Sequence, residues 1–138
     1  MMENQDLSAT TVMVVEDFDD TRLAMKQLLE MEGYRVVEAS NGKEAVEVAR
    51  RERPALVLMD LNMPVLDGFG ASLHIRELEG LGSVPIVAVT AFDTMEFRAA
   101  AKAVGCNEFV AKPINFDNLT ALMDQLLKVQ RAGASGMS

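Results

Sequence analysis

Apolar and polar positions alternate along this chain in two rhythms. Short β-branched runs predict strands at Thr11–Val15, Arg35–Glu38, Ala55–Asp60, Pro85–Val89 and Glu108–Ala111. After each run, apolar residues recur at helical spacing, which predicts helices over Thr21–Met31, Lys43–Arg53, Phe69–Leu81, Thr94–Val104 and Phe116–Val129. Gly33, Pro54 and Gly105 follow three of these segments and act as stops. In the last helix Leu119, Leu122, Met123 and Leu126 share one face. The three middle apolar runs lack period-two alternation, as parallel strands covered on both sides should. Strand and helix alternating five times predict an α/β fold with one parallel sheet and helices on both of its faces.

The chain's 138 residues suit one domain. Residues 1–10 read as a disordered N-terminal segment, 11–130 as the folded domain, and the small, polar stretch 131–138 as a flexible tail. Composition changes the picture in only one respect, which is charge. A formal net charge of −8 argues against binding nucleic acid through phosphates, and against an anionic membrane surface. It suits a protein that binds cations or a basic partner surface. The start, MMENQDLSATT, lacks the basic and apolar regions of a signal peptide, and no apolar run approaches the ~20 residues that span a bilayer. A cytoplasmic location is expected. Cys106 is the single cysteine, so no internal disulfide forms, and its setting reads as a small core residue. The ten methionines read as core gap-fillers, and the few scattered aromatics offer no stacking platform.

Candidate chemistry follows from the predicted sheet. In open α/β sheets, ligands bind outside the carboxyl ends of the strands. Glu16 and Asp17 follow the first strand, with Asp19 and Asp20 just beyond. Asp60 ends the third, Thr90 and Ala91 follow the fourth, and Lys112 and Pro113 follow the fifth. Each has an ordinary reading: a helix cap, a turn, a β-former, a solvated lysine. Their coincidence at one rim outweighs those readings. Glu16, Asp17 and Asp60 would repel one another unless a cation intervened. That cation is either a hard divalent ion such as magnesium, with a backbone carbonyl after Asp60 completing its shell, or the Lys112 ammonium. Asp67, followed by Gly68, fits a turn and helix start. His74, between Leu73 and Ile75, reads as a packing or surface residue.

The stretches VVEDFDDTR, LVLMDLNMPVLDG, VAVTAF and FVAKPI resemble the receiver domain of two-component response regulators, of the chemotaxis-type single-domain kind. The resemblance runs from about Thr11 to Val129. It implies a flavodoxin-like (βα)5 fold with strand order 2-1-3-4-5. It implies Asp60 as the phosphoacceptor, and Glu16 and Asp17 as the acidic pair holding Mg²⁺ with the Asn62 backbone carbonyl. Mn²⁺ is expected to substitute. It further implies Thr90, Ala91 and Lys112 around the phosphoryl group, Thr90 and Phe109 as the switch pair, and a cis bond before Pro113.

The implied partners are a histidine kinase or histidine phosphotransfer protein as donor, and a downstream protein on the surface of the fourth helix, fifth strand and fifth helix. No nucleic acid, membrane or attached output domain is expected. The chain reads as a signalling phosphoacceptor rather than an enzyme, with self-phosphorylation from small donors and autodephosphorylation.

Three positions depart from the common pattern of this family. Glu16 stands where Asp is commoner, Phe109 where many members carry Tyr, and Phe92 places an apolar ring at the site mouth opposite Asn62. An aspartyl-phosphate phosphatase of the haloacid dehalogenase type would need a second Asp where Asn62 stands. A flavodoxin-like FMN protein would need a first loop that cradles phosphate, and EDFDD repels it. An interaction module that keeps this fold but signals without phosphorylation is the remaining alternative.

Overall fold

The computed structural model describes residues 10–61, 67–92 and 94–136. Five strands, β1 (Thr11–Val15), β2 (Arg35–Ala39), β3 (Leu56–Asp60), β4 (Ile86–Thr90) and β5 (Glu108–Ala111), alternate with five helices. These are α1 (Asp19–Met31), α2 (Gly42–Glu52), α3 (Gly68–Glu77), α4 (Met95–Ala103) and α5 (Phe116–Gly136). All strand pairs are parallel, in the order β2-β1-β3-β4-β5.

Successive residues of each inner strand feed opposite cores. Met13, Val15, Val57 and Met59 pack with Ala45, Val48, Ile75 and Ala101 from α2, α3 and α4. Val12, Val14, Leu56 and Leu58 pack with Leu29 of α1 and with Leu119, Met123 and Leu127 of α5. Every residue of β3 and β4 is buried, which is why their sequences lack polar alternation. Each large apolar side chain so buried contributes ~1.5–3 kcal/mol. Cys106 is buried too, against the Ser72 hydroxyl, as its setting predicted, and burial pushes its thiol pKa up. His74 lies exposed on α3.

Helix ends differ from the periodicity in instructive ways. α1 begins at Asp19, ahead of Thr21, because Asp19 and Asp20 place negative charge in its electropositive first turn. α3 ends at Glu77, short of Leu81. Leu78 is extended, and the Arg76 guanidinium holds the following turn by donating to the carbonyls of Leu81 and Gly105. α5 stays helical to Gly136, past Val129, through a segment with no proline to break it. Asn41, Asp67 and Thr94 cap α2, α3 and α4, each accepting a first-turn N–H. Asp67 thus has the helix-start role its sequence suggested.

Gly68 positions the end of β3. A Cβ there would overlap the Asp60 carbonyl oxygen and lie 2.6 Å from Leu61 Cα. The start of α3 rests directly on the backbone that carries Asp60, and only glycine allows that approach. Gly68→Ala should lower stability by about 1–3 kcal/mol, read as an earlier urea midpoint. Gly82→Ala, whose Cβ would meet only the Arg76 carbonyl oxygen at 3.8 Å, is the matched control and should move little.

Candidate functional site

Strand register assembles the rim. Val15 pairs with Met59, so Glu16 leaves β1 beside Asp60. Asp60 pairs with Val89, so Thr90 follows beside it. Thr90 pairs with Ala111, so Lys112 comes next. Four residues scattered over nearly a hundred positions of sequence become neighbours because each is the last of, or the first beyond, a strand in one parallel sheet.

Asp60 is 2% exposed and Glu16 7% exposed, while Asp17 faces solvent. Lys112 Nζ lies 3.4 Å from Asp60 Oδ2 and 3.5 Å from Glu16 Oε1. A tight charge-assisted bond would be ~2.7–2.9 Å, so the ammonium is shared between two acids rather than clamped on either. Glu16 Oε2 accepts the Phe18 backbone N–H at 3.1 Å, which turns the longer glutamate arm back over its own loop. Burial raises the Glu16 carboxyl above the ordinary range; the Phe18 N–H lowers it, the Asp60 charge raises it and Lys112 lowers it.

One oxygen each from Glu16, Asp17 and Asp60 lie within 4.8 Å of one another. An all-oxygen, triply acidic set of this kind fits a hard divalent cation such as Mg²⁺. Asn62, the expected carbonyl ligand and site-mouth residue, lies outside the described residues. The Thr90 side chain is fully buried, and its Oγ1 accepts the Phe92 N–H at 3.0 Å. Ala91 follows at the exposed start of the loop. The Lys112–Pro113 peptide bond is cis.

Phe109 is half-buried, with the Arg98 guanidinium 4.6 Å above its ring. Phe92 is 54% exposed, and its ring packs on Phe97 of α4 at 5.4 Å, which in turn packs edge-on against Phe69. Two contributors were not read from sequence. Arg98 carried no signal, since its partner is on β5. Arg22 donates to the Glu16 carbonyl at 2.8 Å and to Asp19 and Glu38. Only its spacing of three from Asp19 was visible.

Comparison with known proteins identifies the family. The family model "Response regulator receiver domain" matches residues 12–124. The polar-differentiation response regulator DivK of Brucella anthropi is 33% identical over 105 residues, covering 76% of this chain and 85% of that protein. A probable transcriptional regulator, ycf27, of Pyropia yezoensis is 36% identical over 127 residues, covering 92% of this chain and 50% of that protein, so the chain spans about half of that relative. The receiver domain of sensor histidine kinase PA1611 from Pseudomonas aeruginosa, solved with a magnesium ion in its active-site cleft, superposes with TM-score 0.80. It is 33% identical, covering 86% of this chain and 98% of that one. The chain belongs to the response regulator receiver domain family, the receivers of two-component signalling. Among the described residues no helix is long and apolar enough to cross a membrane.

Proposed function

We propose that this receiver is a phosphoacceptor that works in the cytoplasm, taking a phosphoryl group on Asp60 from a phosphohistidine of a histidine kinase or histidine phosphotransfer protein. The observation that carries this reading is the placement of Asp60. It is a buried carboxylate on a rigid strand end, with a lysine ammonium 3.4 Å away and two further acids converging on it. A carboxylate so held is a poor cap and a well-aimed nucleophile.

In the transfer, an Asp60 oxygen attacks phosphorus in line. The new phosphorus–oxygen bond forms as the phosphorus–nitrogen bond breaks, and the leaving imidazole keeps that electron pair and takes up a proton. Lys112 donates to the equatorial phosphoryl oxygens, where electrostatic stabilisation counts most. Glu16 and Asp17, with Asp60, would hold Mg²⁺ or Mn²⁺. When bound, the ion neutralises charge on those same oxygens.

Thr90 gives up the Phe92 N–H and turns its hydroxyl to the phosphoryl group. By register Phe109 stands opposite Ala88, on the same sheet face as Thr90, so its ring can follow into the vacated space. The α4-β5-α5 surface then presents a different face to a downstream protein, a shift between two populated states.

Incubating the full chain with acetyl phosphate tests this reading. Mg²⁺-dependent, near-stoichiometric incorporation of an acyl phosphate supports it, and no incorporation overturns it. Phe92 supplies a narrower prediction. Hydrolysis needs a water in line with the phosphorus, and an apolar ring at the mouth cannot orient one. A tenfold rate change needs only ~1.4 kcal/mol. Phosphorylated Phe92→Glu should therefore lose its phosphoryl group faster than wild type with no kinase present. Equal lifetimes would leave the ring to its packing on Phe97.

A further inference from the structure

We infer that Arg22 is a positioning residue for the acidic pair, setting where Glu16 and Asp17 stand relative to Asp60 without touching either carboxylate. The inference rests on the phosphoacceptor reading above and concerns the same site.

The backbone of Glu16 is gripped from both sides as it leaves β1. Its N–H donates to the Ala39 carbonyl at 3.1 Å, and its own carbonyl accepts Arg22 Nη1 at 2.8 Å. The other two guanidinium nitrogens bond elsewhere. Nε donates to Glu38 Oε1 on β2 at 3.2 Å, and Nη2 donates to Asp19 Oδ1 in the first turn of α1 at 2.7 Å. One planar group thus joins the end of β1, the end of β2 and the start of α1.

The Arg22 side chain is only 16% exposed, although it sits on the first turns of a surface helix. That inward fold costs side-chain freedom and is worthwhile only if the fork is satisfied. A lysine can bring the charge but cannot hold three acceptors at fixed angles. Partners that orient metal ligands in this way typically govern affinity about 10–100-fold.

The test is calorimetric titration of the full chain with Mg²⁺ as sole ligand, below the unfolding temperature of every variant. Arg22→Ala should bind Mg²⁺ roughly tenfold or more weakly. Arg22→Lys should also bind clearly more weakly than wild type, because it keeps charge and loses the fork. Arg35→Ala removes an arginine of equal charge that bonds Thr11 and Glu52 instead, and should bind as wild type does.

If Arg22→Lys matches wild type, Arg22 contributes charge alone and the inference fails. If Arg22→Ala does not fold, Arg22→Lys decides by the same criterion. Asp17→Ala separates the two levels of the argument. Loss of binding in Asp17→Ala with none in Arg22→Ala overturns the positioning role only. Unchanged binding in Asp17→Ala overturns the metal site on which it rests.

Discussion

Lys112→Ala should slow phosphorylation of Asp60 by acetyl phosphate about 10²–10³-fold at saturating Mg²⁺, the usual cost of losing one preorganised group aimed at developing charge. The geometry argues for an effect of this size. Lys112 Nζ stands 3.4 Å and 3.5 Å from two acids, in loose contact with both. A lysine already locked on one carboxylate would have to break that bond to reach a phosphoryl oxygen. One shared between two can move at little cost. Single-turnover rates under matched conditions check this, with circular dichroism confirming that the variant is folded. A change below threefold would remove Lys112 from the chemistry and leave it a charge-balancing role.

Glu16→Gln should raise the melting temperature by a few degrees in the presence of a chelator. Burial, more than any other influence, holds the Glu16 carboxyl above its ordinary value of 4.5, and the neighbouring Asp60 charge adds to it. The sign follows from linkage. A carboxyl raised in the folded state binds its proton more tightly there than in the unfolded chain. The stability it contributes is fully present below pH 4.5 and is lost as pH rises through the folded value.

At neutral pH wild type therefore carries a penalty that glutamine does not, while the glutamine carbonyl can still accept the Phe18 N–H. The gain of the variant over wild type should grow from pH 4.5 to pH 7.5. Mg²⁺ should reverse the ranking, since only wild type keeps the full acidic set. A variant melting no higher than wild type at pH 7.5 in chelator would contradict the view of Glu16 as a strained, metal-ready acid.

Much of this site is legible in the sequence. The reason is that a parallel sheet turns a one-dimensional rule into geometry. Once five strands are recognised, the residue after each must lie on a common rim, and Glu16, Asp60, Thr90 and Lys112 fall there together. The central strands β3 and β4 are legible because they are apolar up to their last residue.

What was not legible depends on side chains crossing between elements. Arg22 reaches Glu38 sixteen positions away, and Arg98 covers Phe109 from a different element. No periodicity encodes either contact. The α3 terminus is hidden because apolar Leu78 and Leu81 keep a helical rhythm, while the Arg76 guanidinium bonds the Leu81 carbonyl of the turn instead. The packing of the Phe92 ring on Phe97 of α4 is likewise an aromatic contact that spacing alone does not reveal.

The central claim is that Asp60 is the residue that accepts the phosphoryl group. It is tested most directly by treating wild type and Asp60→Asn with acetyl phosphate and Mg²⁺, trapping the acyl phosphate by borohydride reduction, and mapping the reduced residue by peptide mass spectrometry. One modified position, Asp60, is expected in wild type, and no modification in Asp60→Asn. Stoichiometric modification at Glu16, Asp17 or any other residue in the wild type, or persistent labelling of Asp60→Asn, would contradict it.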